Sequence, residues 1–260
     1  MFFGCVNWKS RIIVLAVVFA MTVFLNSCSS DLSQQSGGDA VVKVLIVTGG
    51  HDFDRGSFFG MFDSFVNIDY VEAQQKDDSE IFEYVSNVAA YDVIVLYNMS
   101  QKISEKRQKN FIDILKKGKG LVVLHHAVCA FDNWREYEKI TGARFFHNES
   151  VRDGKTYKRS TFKDGVDMKV RVSAKQHPVT RGLKDFVIHD ESYKGCYFAD
   201  DNTVLLTTDE GTSDKTIGWV REYGRSRVCF IQSGHGPGAY ENESYRKLVS
   251  QAIRWSAEIN

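Results

Sequence analysis

Three short apolar runs, separated by segments with helical periodicity, constrain this chain more than any other feature of its sequence. The runs cover residues 41–48, 92–97 and 121–124, and the first of them ends at Gly49-Gly50. Continuous β-branched and apolar residues are typical of strands that are buried on both faces. Strands that alternate with helices are joined by right-handed crossovers. The sequence therefore predicts an α/β fold with a doubly wound, mostly parallel sheet of flavodoxin-like type.

The segments between and after these runs complete the pattern. Residues 148–176 are polar and alternate in hydrophobicity, so we expect an antiparallel insertion or edge there. Further strands are predicted over residues 68–72, 203–207, 216–221 and 227–232. Helices are predicted over residues 58–65, 79–89, 104–117, 134–142 and 244–259, with Ser79 and Ser104 as N-caps and Gly118 as a C-cap.

Composition excludes some classes of partner. The 260 residues include 33 basic and 33 acidic side chains, so the formal net charge is 0. Such a chain has no overall electrostatic field to attract a polyanion, and we expect no nucleic-acid partner. Hydrophobic residues make up 43% of the chain, which is enough for one globular core. The oligomeric state stays open.

The N-terminal segment has the pattern of an export signal. Lys9 and Arg11 precede the apolar stretch 12–25, which is too short for an ordinary membrane span. The stretch runs into Leu25-Asn-Ser-Cys28, which is similar to the lipobox of bacterial lipoproteins. We predict that Cys28 is lipidated and that the lipid is the protein's contact with the membrane; the alternative is an uncleaved anchor.

These features divide the chain into three parts. The prediction is a lipoprotein signal peptide over residues 1–27, a flexible tether over residues 28–40 and a single domain over residues 41–260. The domain would be exported, and Ser29 after the lipidated cysteine favours the outer membrane of a Gram-negative bacterium, facing the periplasm.

Histidines follow the predicted strands. In open parallel sheets, ligands bind beyond the carboxyl ends of the strands. We therefore expect at least two of these imidazoles to line one pocket, although a single histidine in a loop is more often a surface residue. In chain order, the polar residues at the strand ends are His51, Asp52, Asn98, His125, His126 and His235.

Other patterns leave more than one interpretation open. The adjacent carboxylates of Asp190 and Glu191 could serve acid–base chemistry or be a solvated surface pair. Tyr193 and Trp219 could stack on sugars, although most aromatic residues belong to cores. The histidines together with Asp52 or Glu191 offer nitrogen and oxygen ligands for a divalent metal, but no H-E-x-x-H motif is present.

Several enzyme classes are disfavoured. A flavodoxin-like amidotransferase carries the cysteine of a G-x-C-x-G motif after its fourth strand, where this chain has His125 and His126, with Cys129 further on. Glutamine hydrolysis by that route is not expected. Gly49-Gly50 is not a G-x-G-x-x-G fingerprint, and no phosphate loop or G-x-S-x-G elbow is present. Three cysteines remain after residue 28, so no disulfide framework is expected.

Taken together, seven segments in order resemble the ThuA-like (trehalose utilisation) family. The resemblance spans residues 41–260 and implies a class I glutamine amidotransferase-like fold without its cysteine nucleophile. Family members are associated with the breakdown of disaccharides oxidised at C3, and many are exported lipoproteins. The matching segments are residues 47–53, 120–127, 134–142, 177–183, 190–193, 204–209 and 224–235.

The resemblance also implies a mechanism. A 3-keto group acidifies the C2 proton of the sugar, so a base at C2 and an acid at the departing C1 oxygen would cleave the glycosidic bond without a required cofactor. His125 is the expected base, Glu191 or His51 the acid, and His235 the group that polarises the keto oxygen. The expected substrate-binding residues are Asp52, His126, Asn98, Tyr193 and Trp219.

Three functions remain to be separated. The first is an enzyme acting on 3-keto-sugars or 3-keto-glycosides by lyase, hydrolase or isomerase chemistry. The second is a non-catalytic carbohydrate-binding lipoprotein. The third is a metal-dependent hydrolase that uses the histidine cluster.

Overall fold

The computed structural model describes residues 40–76 and 79–258. The predicted signal peptide, the lipidation site Cys28 and nearly all of the tether lie outside the described residues. The strands are β1 (Val42–Gly49), β2 (Ile68–Gln74), β3 (Val93–Asn98), β4 (Gly120–Leu124), β5 (Ala143–Arg144), β6 (Ser150–Arg152), β7 (Lys155–Tyr157), β8 (Thr161–Val172), β9 (Phe186–Lys194), β10 (Tyr197–Phe198), β11 (Thr203–Thr207), β12 (Thr216–Tyr223) and β13 (Ser226–Ile231). The α-helices are α1 (Arg55–Asp63), α2 (Glu105–Lys116), α3 (Arg135–Thr141), α4 (Pro237–Tyr240) and α5 (Glu243–Ser256).

A nine-stranded mixed sheet organises the domain, in the order β2-β1-β3-β4-β13-β12-β11-β8-β9. Strands β2, β1, β3, β4 and β13 pair in parallel, and we call them the parallel half. Strands β12, β11, β8 and β9 are antiparallel to their neighbours, and we call them the antiparallel half. The predicted α/β fold, with its parallel sheet and antiparallel addition, is confirmed.

The strands of the parallel half are covered on both faces. In β1, Val44 and Ile46 pack with α1 and α5 on one side of the sheet, whereas Leu45 and Val47 pack with α2 and α3 on the other. Because successive side chains of a strand point to opposite faces, a strand covered on both sides is apolar at every position. This explains the continuous apolar runs of the sequence.

The helix predicted over residues 79–89 is wrong. The chain forms two 3₁₀ helices there, Glu80–Glu83 and Val85–Val88, and Tyr84 between them is extended (φ −132°, ψ 133°). Ser79 has a left-handed backbone (φ 32°) and its side chain makes no capping hydrogen bond. The segment combines β-branched, aromatic, Ser and Asn residues, which are weak helix formers in an α-helix interior.

Side-chain caps set the starts of two helices. α1 begins at Arg55, three residues before the predicted start, because the carboxylate of Asp54 accepts a hydrogen bond from the backbone N–H of Ser57. Asn242 caps α5 in the same way, with its side-chain oxygen accepting from Ser244 and Tyr245. The helices predicted over residues 104–117 and 134–142 are present with ends within one residue of the prediction.

The antiparallel half is larger than the sequence suggests. Strand β9 was not predicted, because its central residues are charged and polar, yet it forms the edge of the sheet beside β8. No helix among the described residues is long and apolar enough to cross a membrane. Cys129, Cys196 and Cys229 are free thiols.

Candidate functional site

A pocket of about 420 Å³ lies where the carboxyl ends of the parallel strands meet β8 and β9. Its volume is in the range of ligand pockets, about 300–1,000 Å³. The position agrees with the general rule for open parallel sheets. The residues that line it are His51, Met99, His126, Cys129, Phe145, His147, Arg159, Phe162, Asp164, Glu191, Tyr193 and His235.

His125 lies directly behind this wall. It follows β4, has a left-handed backbone (φ 49°) and is 0% exposed. Its Nδ1 lies 2.8 Å from the backbone oxygen of Gln232. Because a carbonyl can only accept, Nδ1 carries a proton, and Nε2 is the atom that faces the other side chains of the site.

Three polar atoms surround Nε2 of His125. The hydroxyl of Tyr193 lies at 3.0 Å, Nδ1 of His235 at 3.2 Å and Oε2 of Glu191 at 3.2 Å. The Tyr193 ring also stacks on the imidazole, with ring centroids 5.0 Å apart. His125 is therefore the centre around which the two pocket-lining groups Glu191 and His235 are arranged.

Glu191 is held as a carboxylate. Burial opposes its ionisation, but the hydrogen bond and charge of His125, together with His235 and a hydrogen bond from Tyr193, outweigh burial and lower the pKa of Glu191. Burial also raises the pKa of the Tyr193 hydroxyl well above its usual value, so this group is a neutral donor. The Glu191 carboxylate is thus a negative charge held among imidazoles.

The loop that carries His235 is anchored by Asp190. The carboxylate of Asp190 accepts hydrogen bonds from the backbone N–H of Gly234 (2.7 Å) and of His235 (2.8 Å). Tyr97 and Tyr240 donate their hydroxyl hydrogens to the carbonyl of Gly234. The backbone of this loop is therefore fixed from both the antiparallel and the parallel half.

Gly234 is required at this point of the loop. Its φ of +130° is rarely adopted by residues with a side chain, and a Cβ there would lie 2.4 Å from the hydroxyl of Tyr245. The absence of a side chain lets the loop pass close to Tyr245 and brings His235 against His125.

His51 and His126 form a stacked pair next to His235 and His125, whose rings they contact. Their ring centroids are 4.7 Å apart with an interplanar angle of 28°. Burial lowers the pKa of His51, and the imidazoles of His125 and His235 act in the same direction, against a backbone contact with Asp52. Burial lowers the pKa of His126 further, so both rings are neutral at neutral pH.

The structure does not bring every predicted residue to the pocket. Trp219 is 1% exposed, stacks on Phe230 in the core and donates its indole N–H to the carbonyl of Thr141, so its predicted contact with substrate is wrong. Asn98 is buried at the end of β3 and does not line the pocket, and neither does Asp52, which is exposed. The position of a polar residue at the end of a strand does not predict the direction in which its side chain points.

The adjacent carboxylates of Asp190 and Glu191 have different contacts. Asp190 and Glu191 are neighbours on β9, so their side chains point to opposite faces of the strand. Asp190 binds backbone N–H groups of the His235 loop, whereas Glu191 lines the pocket. The two carboxylates therefore do not line the pocket together, as the interpretation of this motif as an acid–base pair would require.

Cys129 does not replace the missing nucleophile. It ends the 3₁₀ helix His125–Cys129 and lines the pocket, but burial raises the pKa of its thiol. A thiol that stays protonated is a poor nucleophile. The residue at the strand–helix turn, where an amidotransferase has its cysteine, is His125.

Several lining residues were not identified from the sequence as site residues. His147 lies beyond the short strand β5, and Arg159, Phe162 and Asp164 belong to the polar segment before and within β8. Phe162 is 62% exposed, an unusual position for a phenylalanine. The hydrophobic alternation of that segment predicted strands, but it did not predict that their side chains would line the pocket.

Comparison with known proteins places the chain in a family. The family model described as trehalose utilisation, ThuA, matches residues 43–256. No curated protein sequence matches the chain.

Three solved structures share the fold. A ThuA-like protein of Parabacteroides merdae has 19% identity over 83% of this chain and 90% of its own, with a TM-score of 0.66. A ThuA-like protein of Bacteroides uniformis has 20% identity over 84% and 91%, with a TM-score of 0.59. A cytoplasmic protein of Salmonella typhimurium has 15% identity over 83% and 99%, with a TM-score of 0.57. On the match over residues 43–256, the chain belongs to the ThuA family, whose fold is that of the class I glutamine amidotransferases.

Proposed function

We propose that this protein is an enzyme that processes a sugar by acid–base chemistry in the pocket between the two halves of the sheet. The observation that carries the proposal is the wall formed by His51, Glu191 and His235, which places a carboxylate and two imidazoles around one cavity. Membership of a family described by trehalose utilisation supports a role related to carbohydrates.

The proposed substrate class is a 3-keto-sugar or 3-keto-glycoside. The keto group makes the neighbouring C2–H bond acidic, so histidine and carboxylate side chains suffice for the reaction. The exposed ring of Phe162 and the guanidinium of Arg159 at the same cavity offer a stacking surface and hydrogen-bond donors for hydroxyl groups.

The structure changes the roles that the sequence suggested. His51 is exposed, neutral and on the wall, which favours it over the buried His125 as the base at C2. The lowered pKa of Glu191 argues against its role as an acid. Since Nδ1 of His235 faces His125 and Glu191, its Nε2 is the atom that can donate a proton toward the pocket mouth. His125 acts as a positioning residue.

The proposed step is an elimination. His51 takes the C2 proton, the electron pair of that C–H bond becomes the C1–C2 double bond, and the C1–O bond breaks. The departing oxygen receives a proton from His235, and the products are an unsaturated keto-sugar and an alcohol. No electron is exchanged with an external partner, and no water is consumed.

The test is turnover of 3-keto-disaccharides and of their unoxidised parents by the purified protein and by His51→Ala. We expect cleavage of the keto compounds alone and a fall in kcat of about 10²–10⁴-fold in the variant. His189→Ala is the matched control, because His189 is an exposed histidine of β9 that pairs with Asp167. Equal cleavage of the parents would reject the keto class. Saturable binding without turnover would instead identify a carbohydrate-binding protein.

We also propose that the protein is exported and lipid-anchored at the outer membrane. The charged residues, apolar stretch and lipobox-like segment that end at Cys28 support this. Cys28→Ser should prevent metabolic labelling with a fatty acid and release the protein from the membrane fraction. Labelling that persists in the variant would reject Cys28 as the anchor.

A further inference from the structure

We infer that His125, Glu191 and His235 form a binding site for one divalent transition-metal ion such as Zn²⁺, whose bond lengths agree with the spacing of the ligand atoms. The site would use Nε2 of His125, Oε2 of Glu191 and Nδ1 of His235. The inference goes beyond the proposed function and does not depend on the identity of the sugar. Asp52, the other carboxylate considered for a metal, does not belong to this group.

The spacing of the three atoms is that of metal ligands. The separations are 3.2 Å from His125 to Glu191, 3.2 Å from His125 to His235 and 3.7 Å from His235 to Glu191. In tetrahedral coordination with bonds of about 2.0–2.2 Å, ligand atoms lie about 3.3–3.6 Å apart, and each of the three separations is within about 0.1 Å of this range. A metal about 2.1 Å from each of the three atoms would stand about 0.7 Å out of their plane, as in tetrahedral coordination, and this distance lies in the range of zinc–nitrogen and zinc–oxygen bonds.

A proton on Nε2 of His125 accounts for only one of the contacts at this atom. Nε2 of His125 has a single direction for a hydrogen bond, yet Tyr193, His235 and Glu191 all approach it within 3.2 Å. With this proton, Nε2 donates to Glu191; without it, Nε2 and the Glu191 carboxylate face each other as two acceptors, which is repulsive. A cation between Nε2 of His125, Nδ1 of His235 and the Glu191 carboxylate removes this repulsion, because each of the three atoms can donate an electron pair to it.

The surroundings have the features of a prepared metal site. Nδ1–H of His125 donates to the backbone carbonyl of Gln232, a contact that fixes the tautomer and directs Nε2 toward a metal. A hydrogen bond from Tyr193 orients the carboxylate of Glu191. Asp190 fixes the backbone of His235. Each proposed ligand is thus held by a second group, so little ordering would be needed on binding.

The site would be open on the pocket side. Glu191 and His235 line the cavity, whereas His125 closes the rear, so three protein ligands leave a coordination position that faces a substrate. A metal there acts as a Lewis acid on a carbonyl oxygen. His51 is outside the ligand group and keeps its imidazole for proton transfer. The substrate's keto oxygen is the group that this position suits.

The test is direct metal binding by the purified protein after dialysis against a chelator. ZnCl₂ is titrated by calorimetry, and CoCl₂ is added separately to record the visible absorption of the cobalt complex. The variants are Glu191→Gln, which keeps the shape of the side chain, and His235→Ala, which alters a side chain that is 31% exposed and should leave the fold intact. The matched control is His189→Ala, which removes an exposed histidine elsewhere on β9.

We expect the wild-type protein and His189→Ala to bind one ion per chain, with the intense visible bands of tetrahedral cobalt. Glu191→Gln and His235→Ala should lose the stoichiometric binding and these bands while their thermal unfolding without metal stays close to that of the wild type. Absence of saturable binding to the wild type, or equal binding by all four proteins, would overturn the inference.

The outcome is separable from that of the proposed function. Metal binding lost in the two variants, without turnover of any keto-sugar, would retain the metal site and reject the proposed reaction. Turnover that persists in the chelator, by a protein that binds no metal, would retain the reaction and reject the metal site.

Discussion

The two halves of the sheet contribute different things to one pocket. The parallel half supplies His51, His126 and His235 from segments that follow its strands, and His125 from the turn after β4. The antiparallel half supplies Glu191 from within a strand, at the edge of the sheet. The four clustered imidazoles of His51, His125, His126 and His235 thus come from one half, and the Glu191 carboxylate comes from the other.

The difference lies in how each half is stabilised. Strands of the parallel half are buried on both faces and their positions follow from the core. Strand β9 pairs with β8 alone, and its carboxylates are held by contacts with loops of the parallel half. The site therefore depends on the junction where Glu191 and Asp190 of β9 meet the loops of the parallel half.

The largest expected effect comes from breaking the junction with Asp190→Ala. The change leaves the N–H groups of Gly234 and His235 buried without their acceptor, so the free energy of unfolding should fall by about 2–5 kcal/mol. Urea denaturation followed by tryptophan fluorescence measures it. The control is Asp167→Ala, an exposed carboxylate of β8 that should change stability by less than about 0.5 kcal/mol. Equal stability of the two variants would show that the halves are not coupled through Asp190.

Glu191→Gln should reduce turnover by about 10²–10³-fold, because the pocket loses its fixed negative charge while the side-chain shape is kept. The kinetic constants on a cleaved keto-sugar check it, together with the denaturation midpoint, which should change little. Glu222→Gln, at an exposed position of β12, is the control and should be fully active. A Glu191→Gln protein with wild-type kcat would show that the reaction does not need the carboxylate that the antiparallel half supplies.

Tyr193→Phe makes a smaller change at the same junction, since it removes only a hydroxyl group. The ring remains to stack on His125, but the hydroxyl that lies 3.0 Å from Nε2 is lost. We expect a loss of about 1 kcal/mol of stability. The loss of kcat should be smaller than that of Glu191→Gln. If this variant lost as much turnover as Glu191→Gln, the hydroxyl itself would be a reacting group rather than a support.

The smallest effect is expected far from the junction, at Glu72 of β2. A hydrogen bond from Arg55 is the main cause of the lowered pKa of Glu72. A carboxyl whose pKa is lowered by folding stabilises the protein above its unfolded pKa of about 4.5, and this contribution disappears as the pH falls through the lowered value. Arg55 is about half exposed, so solvent screening limits the contribution to less than about 1 kcal/mol.

Comparing the wild type with Glu72→Gln by urea denaturation at neutral and acidic pH measures this contribution. The two proteins should differ at neutral pH and converge in acid, and their turnover should be equal. A difference that grows in acid would have the wrong sign for a lowered pKa. A loss of turnover would mean that the far edge of the parallel half also supports the site.

Much of the parallel half was predictable from the sequence for a physical reason. A strand covered on both faces has to be apolar throughout, and its carboxyl end lies at a known edge of the sheet. The positions of β1, β3 and β4 and the proximity of their histidines follow from these two rules. The seven segments that resemble the ThuA family indicate the same fold independently of these rules.

The antiparallel half was harder to predict, because its side chains are placed by tertiary contacts. Glu191 was identified, but the opposite orientation of Asp190 became visible only with β9 as a strand. Trp219 could not be assigned to core or pocket from its residue type. Arg159 and Phe162 line the pocket because their segment folds over it, and local sequence carries no signal for that.

The turn between β6 and β7 precedes Arg159 and Phe162 in the same polar segment of the chain. Asp153 and Gly154 adopt left-handed backbones at the tip of a hairpin that lies outside the main sheet, and Arg152 of this hairpin binds Glu138 of α3. Residues can be inserted or removed there without altering the register of any core strand, since longer surface loops cost little free energy. The surface beside α3 can therefore change in length among related proteins while the histidines stay where the core sets them.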